Sequence, residues 1–320
     1  MALSRRSFLA LSGVGAITLG IGSCTWSITR PIQSLGAPPR PNPPVSEQIS
    51  PRIRLHMLQT GWVAVKREHR SFSGPSGLRI PAIMTSRSWT EWMPITAYAI
   101  EHPDGVFMVD TGETSQIGDP DYTACDAVTG MFYRRNLQFA VSSDEGVARQ
   151  LNAVDIDPKR VSTVVMTHLH SDHMGGMASF GQARFIIAGA ARAGHAGALM
   201  CRIPSNLNIS TTEISDRPAG VFPQSMPLTG DGSVTVIPTP GHTRGHQSVL
   251  IEDGGTSVCI VGDAAFSLNQ IENGEIAGIV ETVADARATI DNLRLQVREF
   301  GTIMLPAHDP DNAARLKRFT

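Results

Sequence analysis

Apolar residues recur along the chain in two patterns: short continuous runs and longer stretches with helical spacing. Residues 95–109 predict two strands joined by a turn at residues 102–105, and the β-branched run 161–166 predicts a buried strand. Residues 284–300 repeat apolar positions at helical spacing. Because strand patterns are followed by helical patterns in both halves of the chain, we expect a layered α/β fold with sheets at its centre.

The other predicted elements are shorter. Residues 190–230 show no clear pattern, and we expect them to cover a functional site. The elements comprise a helix at residues 144–154, strands at 184–188, 234–238 and 302–305, and a hairpin of residues 247–251 and 257–261 that turns at 253–255.

The N-terminal segment predicts export. Arg5 and Arg6 precede a weakly apolar run that ends at Gly22, shorter than the about 20 residues that span a bilayer. Paired arginines before such a run are typical of a signal handled by the twin-arginine export machinery. The run ends in Ile-Gly-Ser-Cys, which resembles a lipobox, so Cys24 is a candidate for lipidation. An ordinary cleaved signal and an uncleaved anchor remain open.

These features divide the chain into three parts. Residues 1–24 are the expected signal, residues 25–51 a linker, and residues 52–320 one domain. The linker contains Pro-Pro-Arg-Pro-Asn-Pro-Pro at residues 38–44, a sequence that favours a stiff, extended spacer. We therefore expect an exported protein, periplasmic or anchored to the membrane on its periplasmic side.

The composition of the 320-residue chain is that of a globular protein. Hydrophobic residues make up 41% and charged residues 18%, which excludes a disordered tail. The formal net charge of −2 provides no basic face, so no nucleic-acid partner is expected. Four cysteines in this length do not form a disulfide scaffold. We expect Cys125, Cys201 and Cys259 to be buried, unpaired thiols.

The densest chemistry lies in Thr-His-Leu-His-Ser-Asp-His-Met-Gly-Gly, residues 167–176. His168 and His170 are two positions apart, so at an extended strand end their side chains point to the same side. Asp172 and His173 follow in a turn that doubles back toward them. Neutral imidazoles with a carboxylate suit zinc, manganese or iron. The motif therefore predicts a metal site.

Three further candidate ligands each follow a predicted strand. His242 lies in Pro-Gly-His-Thr-Arg-Gly-His, residues 240–246, Asp263 ends an apolar strand, and His308 follows the last strand. Each is weak alone, because a single histidine is more often a core or surface residue than a ligand. Their order after the first motif, at strand ends where layered α/β folds place their sites, makes them candidates.

This order of motifs resembles the metallo-β-lactamase superfamily, with a match from residue 52 onward that includes Asp-Thr-Gly at residues 110–112. The resemblance implies an α/β fold, a four-layer αββα sandwich. It also implies a ligand set for two metal ions. That set consists of His168, His170 and His242 for one metal ion, Asp172, His173 and His308 for the second, and Asp263 as the bridge between them.

The implied chemistry is hydrolysis. Two cations that share a water lower its pKa from about 15.7 toward about 7, and the bridging hydroxide attacks a carbonyl or phosphorus without a serine or cysteine nucleophile. Zinc is the expected ion, with iron, manganese or cobalt as alternatives. Asp172 is placed to pass a proton to the leaving oxygen. His246 lies outside the ligand set and is expected to steady its loop.

Residues 93–112 and 239–251 look most like the N-acyl-homoserine lactone hydrolases, which open the lactone ring of bacterial signalling molecules. Those enzymes usually carry a tyrosine three residues after the bridging aspartate, where this chain has Phe266, which cannot donate a hydrogen bond. Tyr133 is a candidate replacement donor. We expect Phe266, Tyr133 and Trp92 to line an apolar pocket for a lactone or ester.

Two other functions stay open. An organophosphate or aryl-ester hydrolase of the same fold would carry the same motifs, and a metal-binding module without turnover is the rival from another class. Flavodiiron oxidoreductases usually carry glutamate at the position of His170, and the β-lactamases lack the bridge at Asp263, so both branches are disfavoured. The histidines outside the motifs are expected at the surface or in turns, and these are His56, His69, His102 and His195.

Overall fold

Two β-sheets form the centre of the protein in the computed structural model, which describes residues 35–40, 42–119 and 121–319. The larger sheet consists of β1 (Val45–Gln48), β2 (Arg54–Val65), β3 (Met93–His102), β4 (Gly105–Val109), β5 (Leu137–Ala140), β6 (Val161–Val165), β7 (Arg184–Ile187) and β8 (Asn208–Thr211). The smaller sheet consists of β9 (Met226–Pro227), β10 (Val234–Pro238), β11 (Gln247–Asp253), β12 (Thr256–Gly262) and β13 (Ile303–Pro306).

Each sheet joins an antiparallel part to a parallel part. The larger sheet has the order β1-β2-β3-β4-β6-β7-β8, with β5 paired to β2. Its strands are antiparallel from β1 to β4 and parallel from β4 to β8. The smaller sheet has the order β13-β12-β11-β10-β9, and only its β12–β13 pair is parallel. Loops that leave parallel strands at the same end can therefore converge on one site.

Helices cover the outer faces of both sheets. The longest is amphipathic and ends at Gly301, whose φ of 62° is favourable only for glycine. Asp126 caps a second helix by accepting the backbone N–H of Thr129. The helices are α1 (Arg67–Arg70), α2 (Arg79–Thr85), α3 (Ala127–Asn136), α4 (Val147–Asn152), α5 (Ser171–Met174), α6 (Leu268–Asn273), α7 (Val283–Phe300) and α8 (Asn312–Leu316).

The alternation of side chains along the strands creates the layers. In β3, Tyr98 and Ile100 point between the sheets, where they join residues of β10 to β13 such as Val236. Ala97 and Ala99 point the other way, into a core shared with α3, α4 and α5. The outer face of the smaller sheet packs against α6 and α7. Four layers result, helix–sheet–sheet–helix, as the sequence predicted.

The segment before residue 52 takes part in the sheet. β1 pairs with β2 in register from Val45 opposite Met57, within the stretch expected to be a linker. Just before it, the indole N–H of Trp92 donates to the carbonyl of Gly36 at 2.8 Å. The expected signal and Cys24 lie outside the described residues. Within the described part of the chain, no helix is both long and apolar enough to cross a membrane.

The structure corrects the expectation of three unpaired thiols. Cys125 and Cys201 form a disulfide, with their Cα atoms 5.6 Å apart and a sequence separation of 76 residues. Sequence spacing could not reveal this pair, because it depends on the loop before α3 packing against the turn at residues 200–202. Cys259 remains a buried, free thiol in β12.

Candidate metal centre

Four chain segments meet at one edge of the two sheets and bring seven candidate ligands together. The loop after β6 carries the first motif into α5, and the loops after β10, β12 and β13 each add one residue. The ligand atoms fall into three overlapping groups, within each of which they lie less than 4.8 Å apart. These groups are His168, His170 and His242; His168, His173 and Asp263; and Asp172, His173 and His308.

Three imidazoles turn bare nitrogens toward one point. His170 Nδ1 lies 2.8 Å from His168 Nε2 and 3.0 Å from His242 Nε2. The other nitrogens of His170 and His242 donate to backbone carbonyls at 3.0 and 3.1 Å, so their lone pairs face this point. Burial, reinforced by the neighbouring imidazoles, lowers the pKa of His168 and His170 well below 6.5. Three imidazole nitrogens at this spacing are a donor set that suits a divalent cation.

A second group stands beside the first. His308 Nε2 lies 3.4 Å from Asp172 Oδ2, and His173 Nε2 lies 3.9 Å from Asp172 Oδ1. Burial opposes protonation of both imidazoles, but the nearby carboxylates, Asp263 foremost, outweigh it and raise the pKa of His173 and His308. Carboxylates and imidazoles thus converge in the second group, and these are the donor types that a divalent cation takes.

Asp263 faces both groups with different oxygens. Its Oδ1 lies 3.2 Å from His173 Nε2 and 3.2 Å from His308 Nε2, whereas Oδ2 lies 3.6 Å from His242 Nε2. Burial disfavours its charge, but His308 and His173 outweigh this effect and hold its pKa well below 3.8. One carboxylate thus presents an oxygen to each group, which is the arrangement that a bridging ligand needs.

Unpaired buried atoms indicate that cations complete the site. His173 Nε2 and Asp263 Oδ1 are sealed from solvent, and although they lie 3.2 Å apart, neither makes a well-aligned hydrogen bond to a described residue. Buried polar atoms are almost always satisfied, so such orphans require an explanation. Imidazole nitrogens and carboxylate oxygens are the donors that zinc and similar divalent ions take. The residues present therefore fit two divalent cations.

Asp110 orients the candidate ligands by accepting hydrogen bonds from His173 and Thr167, a role that the sequence did not reveal. Its carboxylate accepts the Nδ1–H of His173 at 2.7 Å and the backbone N–H and hydroxyl of Thr167 at 2.7 and 2.8 Å. It does so from a backbone with φ of 60°, which is rare outside glycine. The next turn residue, Gly112, has φ of 65°, and a Cβ there would lie 2.0 Å from Thr60 Oγ1. The Asp-Thr-Gly sequence was the available signal.

His246 positions the backbone of Asp263. Its Nε2 accepts the N–H of Asp263 at 3.1 Å, so its proton is on Nδ1 and is donated to Thr239 Oγ1 at 2.9 Å. Burial lowers the pKa of His246 to about 3, which keeps it neutral. Gly262, with φ of 59°, gives His246 its room, because a Cβ there would lie 2.8 Å from Nε2.

Five of the candidate ligands line an apolar cavity of about 370 Å³, and these are His170, Asp172, His242, Asp263 and His308. Phe266 and Tyr133 line it, whereas Trp92 does not, because its indole is turned toward Gly36. The hydroxyl of Tyr133 donates to Gly197 O at 2.8 Å and accepts from Ser171 N at 3.2 Å, so its one proton is engaged. The remaining wall residues are mainly aliphatic and include Val63, Val65, Ile80, Met93, Val128, Leu137 and Ile279.

The four histidines expected at the surface or in turns are all buried or half-buried, so the surface expectation was wrong. His102 does form its turn, accepting the N–H of Asp104 at 3.0 Å, and His56 lies between Ser46 and Glu101. His195 accepts the N–H of Leu169 at 3.2 Å, directly beside the first motif. His69 lines the cavity. Sequence position gave no sign of this, because each depends on packing between distant segments.

Known proteins resemble this chain over most of its length. The sequence profile of the metallo-beta-lactamase superfamily matches residues 90–308. The N-acyl homoserine lactonase AttM of Rhizobium johnstonii is 26% identical over 266 residues, which cover 81% of this chain and 94% of that protein. An N-acyl homoserine lactonase of Bacillus sp. is 27% identical over 233 residues, covering 71% of this chain and 86% of that protein.

Solved structures show the same fold. An N-acyl homoserine lactone hydrolase, solved with the product N-hexanoyl-L-homoserine at its catalytic metal centre, aligns with a TM-score of 0.65 at 20% identity, covering 81% of this chain and 94% of that one. AidC, a dizinc quorum-quenching lactonase, aligns with a TM-score of 0.56 at 14% identity, covering 84% of this chain and 91% of that one. The family profile covers more than half of this chain, so the chain belongs to the metallo-β-lactamase superfamily.

Proposed function

We propose that the protein opens the ring of N-acyl-homoserine lactones with the help of two divalent metal ions, zinc in first place. The observation that carries this proposal is Asp263, which presents one oxygen to each of two ligand groups at the base of an apolar cavity. Membership of the superfamily and relatives named lactonases along most of the chain make the protein a metal-dependent hydrolase of ester bonds.

The shape and polarity of the cavity favour an acylated substrate. A lactone has one carbonyl that must reach the ligands, and its acyl chain needs a dry surface. The wall supplies that surface through residues such as Val65, Met93 and Phe132. Sites of this kind combine mostly apolar walls with a few polar groups that fix orientation.

The ligand set assigns a place to each cation. His168, His170 and His242 would hold one, Asp172, His173 and His308 the other, and Asp263 would touch both. Bound there, the pair would lower the pKa of a water and polarise the substrate carbonyl. Asp110, His246 and the carbonyls that pair with His170, His242 and His308 would keep the ligands oriented.

Asp172 is the proton carrier in this scheme. It lines the cavity and is largely buried, with Oδ2 3.4 Å from His308 Nε2. Ring opening adds oxygen to the carbonyl carbon, breaks the bond from that carbon to the ring oxygen, and leaves a carboxylate and an alcohol. The proton lost by the water must reach the departing oxygen. We assign that transfer to the Asp172 carboxylate.

A panel of substrates tests the proposal. The metal-loaded protein, produced without residues before Cys24, is mixed with short-chain and long-chain acyl-homoserine lactones, a plain γ-lactone, an aryl ester and a phosphotriester, and proton release is followed. We expect rapid opening of the acyl lactones. Asp263→Ala is the blank, and Asp144→Asn, an exposed carboxylate distant from the site in sequence, is the matched control.

The other outcomes separate the alternatives. Turnover of only the aryl ester or the phosphotriester would keep the hydrolase and discard the lactone. Metal binding without turnover of any substrate would favour the non-catalytic module. Release that persists in Asp263→Ala would contradict the assigned site.

We also propose that the protein works outside the cytoplasm, periplasmic or anchored through a lipidated Cys24. The support is the Arg5-Arg6 signal together with the Cys125–Cys201 disulfide, since such bonds persist in oxidising compartments. Fractionation of cells that express the full chain tests this, with a lysine pair in place of the arginines as the control. Retention of the unaltered chain in the cytoplasm would contradict it.

A further inference from the structure

His69 is a buried imidazole without a polar partner. Only 7% of the residue is exposed, and its Nδ1 is sealed from solvent with no hydrogen bond to any described residue. The side chain nevertheless lines the cavity above the ligands. Unsatisfied buried polar groups in native proteins call for an explanation such as a ligand or a catalytic role.

The sealed Nδ1 determines where the proton of this ring lies. Burial lowers the pKa of His69 to about 3, so the ring is neutral and carries a single N–H. A sealed N–H without an acceptor is costlier than a sealed lone pair. The proton is therefore on Nε2, and the ring can offer that N–H to the cavity that it lines.

The position of His69 is fixed relative to the metal ligands. Its ring stacks on Phe266 at 6.2 Å between centroids and 24° between planes, and Phe266 in turn contacts His308 at 5.3 Å. The carbonyl of His69 accepts the N–H of Ile279 at 2.9 Å, while the carbonyl of Ile279 accepts from His242 Nδ1 at 3.1 Å. One residue thus links the backbone of His69 to a ligand of the first group.

We propose that His69 donates a hydrogen bond from Nε2 to the substrate carbonyl, or to the oxyanion that it becomes. Related lactonases carry a tyrosine where this chain has Phe266, and His69 then supplies the hydrogen-bond donor that Phe266 lacks. Tyr133 does not replace it, because its hydroxyl proton is donated to the carbonyl of Gly197. The ring stacks on Phe266, so the imidazole lies next to the residue that stands where those lactonases carry tyrosine. This inference rests on the proposed carbonyl chemistry, although any ester with a carbonyl would use the same donor.

A set of variants tests the donor against a packing role. His69→Phe keeps the aromatic stack and removes the N–H, whereas His69→Gln keeps a donor and loses the ring. Phe266→Tyr, added to His69→Phe, provides a phenol donor next to the lost one. For each metal-loaded protein, kcat and KM for N-hexanoyl-homoserine lactone are measured separately, together with metal content and the thermal midpoint.

We expect His69→Phe to lower kcat by about 10²-fold with little change in KM, as loss of one oxyanion donor does. Metal content and the thermal midpoint should remain those of the unaltered protein. Adding Phe266→Tyr should recover at least tenfold, and His69→Gln should retain more activity than His69→Phe. A purely structural His69 would not produce rescue by a second donor.

Two results would overturn the inference: a kcat for His69→Phe close to that of the unaltered protein, or a loss that Phe266→Tyr does not repair. A failure of the lactonase proposal looks different. In that case the unaltered protein opens no lactone, and the same variants are measured on the ester that it does hydrolyse.

Discussion

Asp110 Oδ2 accepts the Nδ1–H of His173 at 2.7 Å, from a backbone held at φ of 60°. This contact fixes the tautomer of His173 and turns its Nε2 toward Asp263, 3.2 Å away. Strand β4 ends at Val109, and the strained backbone of the next residue turns the Asp110 carboxylate toward His173. The strain therefore serves to orient a candidate metal ligand.

Asp110→Asn should weaken metal binding while leaving the fold intact. Asparagine tolerates the left-handed backbone, so the turn is kept, but the charged acceptor for His173 is lost. We expect the affinity for zinc to fall by about 10–100-fold, as the loss of a partner behind a ligand does. Competition against a zinc-binding dye measures this, with Asp144→Asn as control. Equal affinities would show that Asp110 serves the turn alone.

Removing the metal should lower the thermal stability. The ligand cluster buries His173 Nε2 and Asp263 Oδ1 without a well-aligned hydrogen bond to a described residue, so cations bound there should stabilise the folded state. A metal ion present at about 1,000 times its Kd adds about 4 kcal/mol to the free energy of unfolding. Scanning calorimetry with chelator, then with zinc restored, should show a reversible drop in the midpoint. A midpoint indifferent to chelator would contradict the assigned cluster.

The Cys125–Cys201 bond should stabilise the wall of the cavity. It closes a loop across a separation of 76 residues, and removal of such a bond costs about 2–4 kcal/mol. The double variant Cys125→Ser with Cys201→Ser should unfold at lower denaturant, with Cys259→Ser as the control for a thiol outside the bond. KM should rise as well, because the disulfide joins the segment before α3 to the turn after Gly197. An unchanged denaturation midpoint would contradict this role.

His69 should make stability depend on acidity. The pKa of His69 is about 3 in the folded state and 6.5 in the unfolded chain, so the unfolded chain binds the proton more readily. The resulting stabilisation is complete above pH 6.5 and is lost as pH falls from 6.5 toward 3. In chelated protein, denaturant titrations between pH 7 and pH 4 should therefore show a shallower loss for His69→Phe than for the unaltered chain. Parallel curves would mean that His69 is solvated.

Local pattern was enough to predict much of the fold. The hairpin of β11 and β12 and the helix α7 appear within a residue or two of their predicted bounds, because apolar spacing and turn residues determine them locally. The strand β2 was missed, although it spans 12 residues. It is buried on both faces, so it lacks the alternation that identifies a half-exposed strand.

The candidate site, like the fold, was predictable only where a local sequence pattern carries it. That the seven candidate ligands lie together was predictable, because a short motif and strand ends carry them. Asp110 and His69 were not, because their roles arise from contacts across the fold: one with a ligand 63 residues away, the other with an aromatic ring brought by another loop. Trp92 was misplaced for the converse reason, since aromatic character alone does not say which way a side chain turns.

The contacts of Ile279 limit which substitutions the enzyme can accept in the wall of its cavity. Its N–H is bonded to His69, its carbonyl to His242, and its side chain forms part of the cavity wall. A substitution that reshapes the wall here also shifts a metal ligand and the proposed substrate donor together. Selection for bulkier substrates at this position should therefore weaken metal retention. New specificities should arise first at exposed wall residues such as Ile80 and Val128, whose side chains are not packed into the cluster.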